Sequence, residues 1–100
     1  MTLVDLIVEK REDIKAACNR YGATAVRIFG SCVRDEYDEK SDIDVLIKVP
    51  ESLRGFEYFG ALGELEDELG QLLGVKVDLV DEASLTGKRK ERILKEAVAL

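Results

Sequence analysis

The sequence of 100 residues carries a formal net charge of −6, and 46% of its residues are hydrophobic while 36% are charged. This composition predicts one folded globular domain, and the scattered Lys and Arg residues argue against non-specific nucleic-acid binding, which depends on a basic surface. No apolar run approaches the ~18 residues of a membrane span, and the N-terminus has no signal-peptide pattern, so we expect a cytoplasmic, non-membrane protein.

The first half of the chain predicts a helix, a strand and a polar loop. Apolar residues recur near the 3.6-residue period over residues 3–20, with Thr2 as a candidate N-cap and Gly22 as a candidate stop. Residues 23–29 (ATAVRIF) are apolar and β-branched enough for a strand, which ends at Gly30. One or two helical turns are expected over residues 31–37.

A second strand is predicted over residues 42–49 and ends at Pro50. Its side chains alternate between an apolar face (Ile43, Val45, Ile47 and Val49) and an opposite face (Asp42, Asp44, Leu46 and Lys48).

The second half predicts a long helix over residues 52–73, a strand over residues 75–80 and a closing helix over residues 88–98. Gly74 is a suitable residue to end the long helix. The apolar stripe of that helix contains Phe56, Phe59, Leu62, Leu65, Leu69, Leu72 and Leu73. The element order predicts an α/β (α+β) fold, in which a small mixed sheet packs against helices.

The available side chains restrict the chemistry. The chain has no histidine, which excludes the commonest general base and every histidine metal site. Its two cysteines, Cys18 and Cys32, make neither a disulfide framework nor a zinc site, and buried free thiols are the preferred interpretation.

Three aspartates are the candidate metal ligands. Asp42 and Asp44 are spaced i, i+2 on one strand face, about 6.6 Å apart along the chain, and Asp78 lies opposite the apolar face of its own strand. If the two strands are neighbours, each like-charge pair at ~4 Å costs about 4 kcal/mol at an effective dielectric of 20. A divalent cation, or protonation of one carboxylate, relieves this repulsion. Oxygen ligands without His or Cys favour Mg²⁺ or Mn²⁺; the alternative is a solvated strand edge or turn.

Gly30 and Ser31 form a candidate phosphate-binding turn. Glycine allows close backbone approach, and the serine adds a hydroxyl beside exposed amides. Neither a Walker A pattern nor G-x-G-x-x-G occurs, and for a Gly-Ser pair taken alone an ordinary strand-to-helix turn is the better interpretation.

The combination of these motifs resembles a known family. Gly-Ser, ten intervening residues, Asp-x-Asp and a later acidic strand VDLV resemble the polymerase-β-like nucleotidyltransferase superfamily. The segment FGSCVRDEYDEKSDIDVLI is most similar to its minimal branch, the MNT domains, and the resemblance extends to the final ERILKEAVAL. It implies a single minimal domain over residues 1–100 with the nucleotidyltransferase (polymerase-β palm-like) fold.

The resemblance also implies a two-metal reaction in which ATP or another NTP transfers a nucleotidyl group to a hydroxyl and loses pyrophosphate. Asp42, Asp44 and Asp78 would be the catalytic metal ligands, for Mg²⁺ or Mn²⁺. Gly30 and Ser31 would hold the triphosphate, and Arg34 would lie near the phosphates or brace the loop; a solvated or structural salt bridge is the alternative for Arg34. Where the family often has glycine after this arginine, the chain has Asp35.

MNT domains of this kind are commonly antitoxins, which implies a HEPN-domain toxin as the partner in a hetero-oligomer and AMP transfer to one of its tyrosine hydroxyls. The alternatives are a non-catalytic antitoxin that acts by binding alone, or nucleotidylation of a small-molecule hydroxyl. Lys76, Lys88 and Arg89 could contact phosphates or the acceptor, but a solvated surface role is preferred for each. Phe56 and Phe59 are interpreted as core rather than as a base-stacking site.

Overall fold

A computed structural model of the chain describes residues 3–34, 42–53 and 55–100. For Phe56, within the last range, only the backbone is described. Thr2, Asp35 and the end of the helical turn expected over residues 31–37 lie outside the described residues. No helix of the described ranges combines the length and the apolar character needed to cross a membrane.

The strands form a mixed sheet, as predicted. Within the described residues it contains β1 (Thr24–Phe29), β2 (Ile43–Lys48), β3 (Val77–Asp81) and β4 (Val98–Ala99), in the order β3-β2-β1-β4. β1 is antiparallel to both β2 and β4, whereas β2 and β3 are parallel. The parallel pair is connected through α3, the arrangement that parallel strands require.

The helices are α1 (Leu3–Glu9), α2 (Arg11–Arg20), α3 (Gly55–Leu73) and α4 (Gly87–Glu96). The prediction of one continuous helix over residues 3–20 is wrong, because Lys10 has φ −97° and ψ 12°, outside the helical region. The Lys10 N–H still donates to the Leu6 carbonyl, and the Lys10 carbonyl still accepts from the Ile14 N–H. Since the break costs neither hydrogen bond and contains neither glycine nor proline, the sequence gives no signal for it.

Gly22 ends α2, as expected. It has φ +80°, its N–H donates to the Asn19 carbonyl, and the following Ala23 N–H donates to the Cys18 carbonyl. This pair of hydrogen bonds is the Schellman arrangement, which needs a left-handed residue at the position of Gly22. The turn directs the chain straight into β1.

The two faces of the sheet carry different cores. The larger cluster takes Ile43, Val45 and Ile47 from β2 and packs them against α1, α2 and α3; Cys18 and Cys32 are buried in it as free thiols. A smaller cluster on the opposite face consists of Phe29, Leu46, Leu85 and Ile93. Leu46, on the face shared with the aspartates, is therefore fully buried beneath α4.

Two predictions about α4 and α3 are wrong. The closing helix ends at Glu96 rather than continuing to Val98, because Ala97 is extended and Val98–Ala99 pairs with the open edge of β1. Backbone pairing with that edge satisfies hydrogen-bonding groups that a further helical turn would leave open. Phe59 is 72% exposed rather than part of the core, and its ring contacts Tyr58 edge-on.

Leu46 anchors α4 to the sheet, so we expect Leu46→Ala to lower the free energy of unfolding by about 2–5 kcal/mol, measured by urea denaturation. The matched variant Leu46→Met conserves volume and should cost less than about 1.5 kcal/mol. Equal losses in the two variants would contradict a close-packed second core.

Candidate active site

The parallel pairing of β2 and β3 brings two of the predicted aspartates together. Asp44 pairs in register with Asp78, and both side chains lie on the face that α4 partly covers. The adjacency of these strands, on which the interpretation of the motif depends, is thus a feature of the fold. It places two carboxylates side by side at one end of the strands.

Asp42 lies just before β2 and is half-buried. Its side chain is 41% exposed, and Oδ2 lies 3.8 Å from Lys76 Nζ. In the described part of the chain, no three acidic or thiol side chains are grouped closely enough to enclose a metal ion. The structure therefore brings Asp44 and Asp78 together, whereas Asp42 faces Lys76 at the rim.

The electrostatics of Asp44 fit a cation site. Burial raises the pKa of Asp44, and the negative charges of Asp78 and Asp42 raise it further, while Arg34 lowers it and Glu96 raises it. Repulsion among aspartates is the condition that a divalent cation removes. The donors that the structure brings together, Asp44 and Asp78, present carboxylate oxygens, which suit Mg²⁺ or Mn²⁺.

Residue 30 must be glycine because its backbone lies directly against Asp44. Its φ of +83° lies in the left-handed region, where a side chain costs roughly 1–2 kcal/mol. A Cβ at this position would lie 3.1 Å from Asp44 Cγ and would overlap Asp44 Oδ2. The turn and the carboxylate can be this close only because residue 30 has no side chain.

The turn after β1 is a short 3-10 helix over Gly30–Cys32, in which the Gly30 carbonyl accepts from the N–H groups of Val33 and Arg34. Ser31 lies in this turn and is half-buried. The turn thus places the Gly30 backbone against Asp44, and Ser31 is the next residue of the turn.

Glu96, the last residue of α4, connects two groups of this turn. Its Oε2 accepts from the Gly30 N–H at 3.1 Å, and its Oε1 accepts from Arg34 Nη1 at 2.5 Å. Burial would raise the pKa of Glu96, but the Arg34 and Gly30 hydrogen bonds and the charges of Arg34 and Arg92 lower it overall. The structure therefore gives Arg34 the salt bridge that was one of its two predicted roles.

Sequence reasoning missed the contribution of α4 to this site. A cavity of about 170 Å³ is lined by Phe29, Gly30, Arg34, Asp44, Asp78, Val80, Arg89, Arg92, Ile93 and Glu96. Arg89 is exposed, as predicted, and also lines this cavity, which fits its alternative of a phosphate or acceptor contact; Arg92 and Glu96 were not considered. Their i, i+3, i+7 spacing, which places all three on one helix face, was the signal in the sequence.

A family model for the nucleotidyltransferase domain matches residues 10–100. The chain belongs to this family. The predicted family and the mixed α/β nucleotidyltransferase fold are confirmed.

Individual relatives agree. The chain is 39% identical over 88 residues to a "putative protein adenylyltransferase" of Methanocaldococcus jannaschii, covering 88% of this chain and 82% of that protein. It is 38% identical over 79 residues to the protein adenylyltransferase MntA of Thermococcus cleftensis, covering 79% and 76% of the two chains.

Two solved structures share the fold. A structure described as a "putative minimal nucleotidyltransferase" superimposes with a TM-score of 0.83 and 38% identity, and covers 100% of this chain and 97% of that one. A toxin-antitoxin crystallised with AMP-PNP superimposes with a TM-score of 0.71 and 22% identity, and covers 88% and 69% of the two chains. At this identity the second likeness concerns the fold alone.

Gly30→Ala tests the contact between the turn and Asp44. We expect a loss well above the roughly 1–2 kcal/mol of the left-handed φ, because the methyl group also displaces the Asp44 carboxylate. Gly74→Ala is the matched control in urea denaturation, since Gly74 has φ +71° but a Cβ there meets nothing within 4 Å. Equal losses in both variants would contradict the contact.

The substitution Asp44→Asn tests the repulsion between Asp44 and the aspartates Asp78 and Asp42. A carboxylate whose pKa is raised on folding stabilises the fold below its unfolded pKa, and that stability is lost as the pH rises through the folded pKa. Without divalent cations, Asp44→Asn should therefore raise the thermal unfolding midpoint at pH 7, with a gain that shrinks towards pH 4. The exposed Asp67→Asn on α3 is the control.

Mg²⁺ should then raise the midpoint of the wild type but not that of Asp44→Asn, because a ligand stabilises only the form that binds it. A lower midpoint for Asp44→Asn at pH 7 would contradict the repulsion.

Proposed function

We propose that this chain is a protein adenylyltransferase, which transfers AMP from ATP to a hydroxyl group of a partner protein in a reaction that depends on Mg²⁺ or Mn²⁺. The observation that carries the proposal is the in-register pair of Asp44 and Asp78 against the Gly30 turn. Two relatives whose names include protein adenylyltransferase support the choice of a protein as acceptor. We treat residues 1–100 as one minimal domain.

The proposed roles are those that the family resemblance implies, and the positions of Gly30, Arg34, Asp44 and Asp78 around one cavity support them. The Gly30 N–H, Ser31 and Arg34 hold the triphosphate of ATP, and Asp42, Asp44 and Asp78 hold the divalent cation. A bound cation supplies charge stabilisation for an in-line displacement at phosphorus. Arg89 and Arg92 line the same cavity and add positive charge near the phosphates.

The reaction forms one bond and breaks one bond. The acceptor oxygen forms a bond to the α-phosphorus of ATP, and the bond from that phosphorus to the bridging oxygen of the β-phosphate breaks, which releases pyrophosphate. Asp78 accepts the proton of the acceptor hydroxyl and passes it to water. A carboxylate in this role needs no histidine, and the chain contains none.

We propose a toxin of the HEPN class as the partner and one of its tyrosines as the acceptor. The toxin-antitoxin that shares the fold was crystallised with AMP-PNP, and this supports both a toxin partner and ATP. An acidic chain of net charge −6 also suits a partner with a basic, RNA-binding surface.

The test incubates the chain with Mg²⁺, a HEPN protein encoded beside it, and ATP labelled at the α-phosphate. We expect label on the partner, no label with γ-labelled ATP, and none after chelation of Mg²⁺. Because each aspartate is a direct ligand, Asp42→Ala/Asp44→Ala should reduce transfer more than the 10–100-fold typical of outer-shell partners. Glu64→Ala/Asp67→Ala on exposed α3 is the control of equal charge change.

Mass spectrometry of the labelled partner, and its Tyr→Phe variants, would identify the acceptor. Full neutralisation of the toxin by Asp42→Ala/Asp44→Ala would instead support an antitoxin that acts by binding alone. Label on a small hydroxyl compound, with none on the partner, would overturn the choice of a protein acceptor.

A further inference from the structure

The side chain of Glu96 occupies two of the groups that the proposed function assigns to phosphate. Its carboxylate lies at the end of α4, is 14% exposed, and uses a different oxygen for each donor: Oε2 for the Gly30 N–H and Oε1 for Arg34 Nη1. The donors come from the two ends of the turn after β1. One carboxylate therefore spans the whole turn.

A carboxylate and a phosphate compete for such donors because both present oxygen acceptors to backbone N–H groups and guanidinium groups. The Gly30 backbone has a single N–H, so it cannot donate a full hydrogen bond to Glu96 and to a phosphate oxygen at the same time. Arg34 is engaged as well, because its Nη1 donates to Glu96 Oε1 at 2.5 Å, which uses one of the five N–H donors of the guanidinium.

The charge of the cavity also opposes simultaneous occupation by Glu96 and a triphosphate. Glu96 lines the cavity with Asp44 and Asp78, and its negative charge is one of the causes of the raised pKa of Asp44. A triphosphate that entered while Glu96 stayed in place would add its own negative charge to all three carboxylates. Departure of Glu96 removes one of these charges from the cavity.

The cavity is also small for a bound nucleotide. Its volume is about 170 Å³, below the ≈ 300–1,000 Å³ of typical small-molecule pockets. Glu96 forms part of its wall beside the phosphate donors. Rotation of one side chain would enlarge the cavity where the phosphates are expected.

Glu96 has another cation available on its own helix. Arg92 lies one turn earlier, at i−4, and its charge already contributes to lowering the pKa of Glu96. A carboxylate that leaves Gly30 and Arg34 can thus remain charge-compensated by Arg92.

We propose that Glu96 is an internal competitor of the nucleotide: its carboxylate occupies the Gly30 N–H and Arg34 in the nucleotide-free chain, and the triphosphate takes both donors when it displaces Glu96. The proposal rests on the proposed function for its ligand. The kinetic consequence is specific: Glu96 raises the concentration of ATP needed for half-saturation without contributing to the reacting groups.

The experiment measures binding of ATP and of tripolyphosphate, each with Mg²⁺, by calorimetry. We expect Glu96→Gln to lower both dissociation constants by roughly tenfold, the equivalent of one charge-assisted hydrogen bond. Glu96→Asp keeps the charge but is one methylene too short to span both donors, so it should tighten binding by a smaller factor. Glu91→Gln, an exposed residue of the same helix with the same charge change, should leave both constants unchanged.

A spectroscopic measurement on the wild type makes the result independent of variant stability. Saturation with tripolyphosphate should change the Gly30 amide nitrogen and the Glu96 carboxyl carbon resonances together, because the hydrogen bond that joins them is broken. A Glu96 carboxyl resonance that stays constant through saturation would overturn the proposal.

The outcomes separate this proposal from the proposed function. Unchanged or weaker binding by Glu96→Gln, with normal binding by Glu91→Gln, would make Glu96 a brace of the turn and would overturn the competition while AMP transfer stood. Tighter tripolyphosphate binding by Glu96→Gln without AMP transfer would support the competition and overturn the function. Failure of every form to bind either ligand would overturn both.

Discussion

The parallel register of β2 and β3 is the constraint on which the site depends. It sets Asp44 directly beside Asp78 on one face of the sheet, and burial together with this neighbour raises the pKa of Asp44. A fold selected for stability alone would separate these charges. Their pairing at a strand end lowers stability, which is the pattern expected at a functional site.

The second core makes α4 part of the site. Leu46, Leu85 and Ile93 hold the helix against the face that carries the aspartates, and the same helix presents Arg89, Arg92 and Glu96 to the cavity. Ile93 of α4 is thus part of the core, while Arg89, Arg92 and Glu96 of the same helix line the cavity. A loss of packing beneath α4 will therefore also displace the α4 residues that line the cavity.

Charge is distributed unevenly within an acidic chain. Five of the 15 cations lie on the ten residues of α4: Lys88, Arg89, Lys90, Arg92 and Lys95. Two of them, Arg89 and Arg92, line the cavity with the aspartates. A local positive potential attracts anionic substrates even when the net charge is negative. The same helix carries Glu96, which holds Arg34 and the Gly30 N–H, so attraction and competition for a phosphate come from one element.

The sequence by itself determined β1, β2 and β3, the turn and the family, because alternation, the Gly-Ser pair and Asp-x-Asp are local patterns with local causes. It also predicted Gly22 and Gly74, whose positive φ values follow from helix endings. The break at Lys10 could not be predicted, because its hydrogen bonds continue across it. Only the tertiary structure decided that Val98 pairs with β1, that Phe59 is exposed, and that Glu96 reaches Gly30 across 66 residues. These outcomes depend on which strand edge and which helix lie nearby in the folded chain, and a local sequence pattern does not contain that information.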